Sequence, residues 1–187
     1  MHPALFYRPG QPLSLPELSA ARLDGHVFEV GEGFMPADTV ESNADRAVSI
    51  ADLLPPRTAA SGHSAAWIHG ASDQPPRVHH ATRIDRSRPR TYSSTRIVYH
   101  EHHLDPGDVQ LIGGVAVTTP LCTATTLLFD LARAGGDDRW LRGLLGVFPR
   151  LDGELRAHVV PLSGRPGSRT ANQILARMLA DQEVVTR

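Results

Sequence analysis

Histidine is the residue type that most invites chemistry in this chain. His79-His80 and the run Tyr99-His-Glu-His-His103, followed by Asp105, supply side chains that could ligate a metal. Alternate residues of a strand point to the same side, so His100 and His102 would share a face, with His80 beside them on a neighbouring strand. The spacing matches no zinc signature, since H-E-x-x-H is absent and no cysteine lies near, and no metal site is expected. Surface histidines are the simpler reading, and if they cluster they make an interface sensitive to pH at about 6–7. Ser61 and Ser64, with His63 and His69, form the one nucleophile-and-base set within a single segment. On a helix His69 falls five residues after Ser64, off its face, and no G-x-S-x-G elbow or glycine-rich phosphate loop precedes a helix. No catalytic residue and no cofactor are expected from these patterns.

All 19 basic side chains are arginine, against 20 acids, for a net charge of −1. Absence of lysine removes Schiff-base chemistry, a P-loop phosphate ligand and a lysine general base together. The lone cysteine, Cys122, lies among apolar and threonine neighbours without a base to activate it, and reads as a small buried hydrophobe. Charge is uneven along the chain. Residues 1–76 are acidic, whereas residues 77–96 hold Arg77, Arg83, Arg86, Arg88, Arg90 and Arg96 against the single acid Asp85. An anionic partner would meet this middle stretch, with Arg83, Arg86, Arg88, Arg90 and Arg96 as candidate contacts to a protein or a nucleic acid. A protein is favoured, because the aromatic residues interleaved there are only Tyr92 and Tyr99. The plain alternative is a solvated loop.

The elements that must position these groups are short. Ser14 reads as the N-cap of a helix through Leu23, stopped by Asp24-Gly25; residues 26–30 and 33–35 then read as a tight hairpin around Gly31-Glu32, and residues 42–54 as a second helix before Pro55-Pro56. Helix then hairpin is the tail of a winged helix. Ser14, Ser19 and Arg22 would be its DNA contacts, although Glu17, Asp24, Glu29 and Glu32 around them repel phosphate, and packing or dimerisation is the competing use. Residues 61–70 read as a small-residue helix. Residues 78–82 and 95–100 read as strands flanking an Arg/Ser/Pro loop, and 109–112 with 115–118 as a hairpin around Gly113-Gly114. Helices follow over 121–134, 137–148, 151–160 and 168–181. The expected class is α+β: a reduced winged-helix-like N-terminal unit over residues 1–56, then over 57–187 a small mixed β-sheet with C-terminal helices. Apolar runs stay well short of the roughly 18 residues a membrane helix needs, so the expected location is the cytoplasm.

The ordered set Ser64-Ala-Ala-Trp-Ile-His-Gly70, Val117-Thr-Thr-Pro120 and Asp130-Leu-Ala132 behind a truncated winged helix resembles the AbiEi family of antitoxins, across about residues 14–135. Ser64, His69, Gly70, Thr119, Pro120 and Asp130 are the positions that carry this resemblance. Cys122-Thr123 stands where the family has Arg-Thr. The resemblance implies an antitoxin that neutralises a nucleotidyltransferase-like toxin encoded beside it. It also implies two alternatives: a repressor binding the operator DNA of its own operon, and a phosphotransferase-like enzyme that inactivates the toxin covalently. A binding protein is favoured over an enzyme.

Overall fold

In the computed structural model, which describes residues 6–85, 94–162 and 164–185, the N-terminal helix forms where its capping residues stand. The carboxylate of Glu17 accepts hydrogen bonds from the Ser14 N–H and hydroxyl, each at 2.7 Å, at the start of α1 (Leu15–Leu23). Strands β1 (Val27–Val30) and β2 (Gly33–Pro36) pair antiparallel, Val30 opposite Gly33, with Gly31-Glu32 turning between them. Leu18 of α1 packs with Val27 and Phe34 in a small core of its own. The next helix is shorter than its apolar spacing predicts. It runs as α2 (Asn43–Ser49), then tightens into a 3₁₀ turn over Ala51–Leu53. Pro55 accounts for the ending, since the residue before a proline is driven to extended backbone, as Leu54 is at φ −70°, ψ 127°.

The second unit is built on a mixed five-stranded sheet in the order β5-β4-β3-β7-β6. Its middle strand, β3 (Thr58–Ala60), pairs antiparallel with β4 (His79–Arg83) and parallel with β7 (Val115–Thr118). The edge strands are β5 (Ile97–His100), parallel to β4, and β6 (Val109–Ile112), antiparallel to β7 across Gly113-Gly114. Each long connection returns the chain to the sheet or opens a helix: α3 (Gly62–Ile68) follows β3, and α4 (Pro120–Ala134) follows β7.

Helices α5 (Arg139–Val147), α6 (Leu151–Val159) and α7 (Ser168–Val185) pack around α4, which also touches α3. Their buried residues fall at helical spacing: Trp140, Leu141, Leu144 and Leu145; Leu151, Leu155 and Val159; Ala171, Leu175, Met178 and Leu179. One apolar core joins these to Ala60, Val117 and Leu128, and takes in Val30, Met35, Ala47 and Ile50 from the front of the chain. The observed class is α+β, a mixed sheet with helices and a small two-stranded sheet ahead of it. Among the described residues no helix is long and apolar enough to cross a membrane.

Candidate interaction site

The residues that carry the family resemblance mostly hold the sheet to α3 and α4. Ser64 is fully buried, and its hydroxyl accepts the His80 N–H at 2.9 Å while lying 3.0 Å from His79 Nδ1. That serine–imidazole pair has the spacing of a nucleophile and its base, but both members are sealed in the interior. It fastens α3 to β4. His69, also buried, donates from Nε2 to the Thr118 carbonyl at 2.8 Å and sets its ring edge-on to Phe148. Burial holds its pKa below the usual imidazole value, against the opposing pull of that carbonyl. Gly70 turns the chain out of α3 at φ +95°, a conformation that disfavours any side chain. Thr119 caps α4 by accepting the Cys122 N–H at 3.3 Å, and Pro120 occupies the first turn, where its missing N–H costs nothing. Cys122 is partly buried, its thiol pushed up to about 12 chiefly by desolvation.

The arginine stretch is split by the sheet. Arg83 ends β4 and Arg96 immediately precedes β5, but the two strands run parallel, with His79 opposite Ile97 and Thr82 opposite His100. Arg83 and Arg96 therefore sit at opposite ends of the pair, five residues or roughly 17 Å apart along the strands at the usual rise per residue. Arg86, Arg88 and Arg90 lie outside the described residues. Arg96 makes an ion pair with Glu32 at the tip of the β1–β2 hairpin. Of the positions read as DNA contacts, Ser14 spends its hydroxyl on Glu17, Ser19 is half-buried, and Arg22 is exposed with its Nε 3.4 Å from Glu29.

The histidines come together at the β4–β5 edge. His80 Nδ1 lies 3.0 Å from His100 Nε2 with the rings stacked at 5.3 Å, and His102 follows 6.0 Å from His100. His102 lies just past the end of β5, and its ring stays beside that of His100, as the spacing predicts. His63 joins from α3, 4.9 Å edge-on to His80 and 5.4 Å from Trp140 of α5. Nothing in the sequence pattern links His63 or Trp140 to this group, because the contact depends on how α3 and α5 cross the sheet. Burial lowers all four imidazoles, and His80 falls furthest, to about 4, because His63, His100 and His79 add to its desolvation. The cluster is thus neutral at pH 7. Among the described residues no three histidine, cysteine or acidic side chains converge as a metal site.

His63 and His80 also line a cleft of about 520 Å³ between α3, β4 and the corner from α4 to α5. Its walls are mostly apolar: Pro76, Val78, Leu127, Leu131, Ala134 and Trp140. Around them stand Arg77, Asp130, Asp137 and Arg139. Asp130 is the one residue of the family resemblance that reaches this surface; its carboxylate pairs with Arg133 at 2.6 Å.

Comparison with known proteins agrees with the motif positions. Residues 58–174 match the family model described as the AbiEi antitoxin C-terminal domain, which spans β3 through the first two turns of α7. The molecule is therefore of the antitoxin class, with a toxin as its partner. The chain belongs to the AbiEi antitoxin family. No curated protein matches it. Among solved structures it is similar to the RV2827C protein from Mycobacterium tuberculosis, at 14% identity and a TM-score of 0.34, covering 87% of this chain and 69% of that one. A likeness that loose carries no argument about either molecule.

Proposed function

We propose that the chain neutralises a nucleotidyltransferase-like toxin, encoded beside it and acting in the cytoplasm, by binding it directly. The observation that carries this reading is the family match over residues 58–174, which covers the whole five-stranded sheet, α3 to α6 and the start of α7. Burial of the Ser64–His79 pair adds support, since it removes the most nucleophile-like constellation from contact with any substrate. Co-expression with the protein from the adjacent reading frame tests it. Restored growth together with a complex that survives gel filtration is the expected result. Restored growth without a complex, and with a mass increase of the toxin on incubation with ATP, would instead establish covalent inactivation.

One observation favours a second use of the same chain as a repressor of its own operon. Arg96 neutralises Glu32 at the hairpin tip, which relieves one of the acids that would repel phosphate from a winged-helix-like front. On this reading operator DNA is retained at low salt and released as salt rises. Arg22→Ala would then weaken retention on every sequence alike, as loss of a phosphate contact does.

A further inference from the structure

The cleft beside the histidine cluster has a feature that the antitoxin role by itself does not use. Four charged side chains line it, and three are balanced locally. Asp130 pairs with Arg133, and Asp137 pairs with Arg139 at 3.1 Å. The fourth, Arg77, is exposed and has no ionic partner among the described residues. His63 and His80 add no positive charge at neutral pH, because burial keeps both imidazoles deprotonated. The cleft therefore presents one surplus cation at the edge of an apolar trough whose size is that of a side-chain or small-ligand pocket.

We propose that this cleft receives a segment of the toxin in which a bulky apolar side chain lies next to a carboxylate, the side chain filling the trough along Val78, Leu131 and Trp140 and the carboxylate meeting Arg77. The proposal rests on the reading of the chain as a toxin-binding antitoxin. Charge decides the class of occupant. A phosphate carries about two negative charges and would enter beside the Asp130 and Asp137 carboxylates with only one unpaired guanidinium to hold it, whereas a single carboxylate matches Arg77 one to one. Shape points the same way. A buried anchor in an apolar pocket with a polar contact at its rim is how protein interfaces concentrate their affinity.

The test uses the full chain and the protein from the adjacent reading frame, with affinity read by biolayer interferometry. Two variants address the cleft without touching the core. Arg77→Glu reverses the surplus charge at an exposed position, and Ala134→Trp fills the trough from an exposed position in the last turn of α4. Arg169→Glu, the same charge reversal in the first turn of α7 and outside the cleft lining, serves as control. Both cleft variants are expected to weaken binding by about tenfold or more while the control binds as the unmodified chain does. Unmodified binding by Arg77→Glu and Ala134→Trp would overturn the cleft proposal and leave the antitoxin reading standing. Absence of binding by the unmodified chain would overturn both. Equal weakening by all three variants would mean a diffuse charge effect and would also overturn the cleft.

Discussion

His80 is the imidazole whose chemistry the fold changes most among those described. Its pKa falls from 6.5 to about 4, first through burial and then through His63, His100 and His79 nearby. A histidine that binds its proton less well folded than unfolded contributes stability that is complete above the unfolded value and is lost as pH drops toward the folded one. The window is therefore between pH 6.5 and about 4, and His63, His69, His79, His100 and His102 shift in the same direction. His80 alone accounts for up to about 3 kcal/mol across that window. Urea denaturation from pH 7.5 down to 4.5 should show a falling midpoint, and His80→Gln should flatten the fall; a midpoint independent of pH would contradict this account. The pairing of His80, His100 and His102 was legible from strand alternation. His63 and Trp140 were not, because their approach is set by helices crossing a sheet, which no local spacing encodes.

At the scale of elements, close backbone approaches set the most exacting demands. A Cβ on Gly143 would stand 2.1 Å from the Ala71 carbonyl oxygen, so α5 lies directly on the backbone that leaves α3. Gly143→Ala must push the two apart, and a cost of roughly 2–3 kcal/mol is expected from the resulting overpacking. The β6–β7 turn gives a contrast within one dipeptide. A Cβ on Gly113, at φ +59°, would stand 3.0 Å from the Ala44 carbonyl oxygen and 3.1 Å from Val48, whereas one on Gly114, at φ +84°, would meet open space. Gly113→Ala should therefore lower the thermal midpoint more than Gly114→Ala, both sharing the left-handed penalty of about 1 kcal/mol; equal losses would show that α2 does not press on the turn. The hairpin and the C-terminal helices were readable from β-branched runs, paired glycines and 3.6-residue apolar spacing. The central strand β3 was not. Thr58-Ala-Ala60 is too short and too poor in β-formers to signal a strand, and it is held by neighbours on both sides. The arginine stretch likewise reads as one patch in sequence, whereas parallel pairing of β4 and β5 puts Arg83 and Arg96 at opposite ends of the two strands.

Across the whole molecule one core spans the two units expected from the sequence. Val30, Met35, Ala47 and Ile50, none more than 3% exposed, pack in the same cluster as Trp67, Val117 and Leu128. Fully burying each large side chain of this kind stabilises by about 1.5–3 kcal/mol, a sizeable part of the roughly 5–15 kcal/mol that holds a domain folded. Residues 57–187 expressed alone should therefore melt about 10 °C or more below the full chain, or without a cooperative transition. An unchanged melting temperature would mean that the front half is an independent appendage. The same continuity joins the hairpin tip to the sheet through the ion pair of Glu32 with Arg96.

Direct binding of a toxin is the central claim, and isothermal titration of the purified chain with the purified protein from the adjacent reading frame tests it most directly. A saturable heat with a fixed stoichiometry, and a dissociation constant in the micromolar range or tighter, is the predicted result. No heat, with the two proteins eluting separately on a sizing column while the chain still protects cells from the toxin, would contradict it.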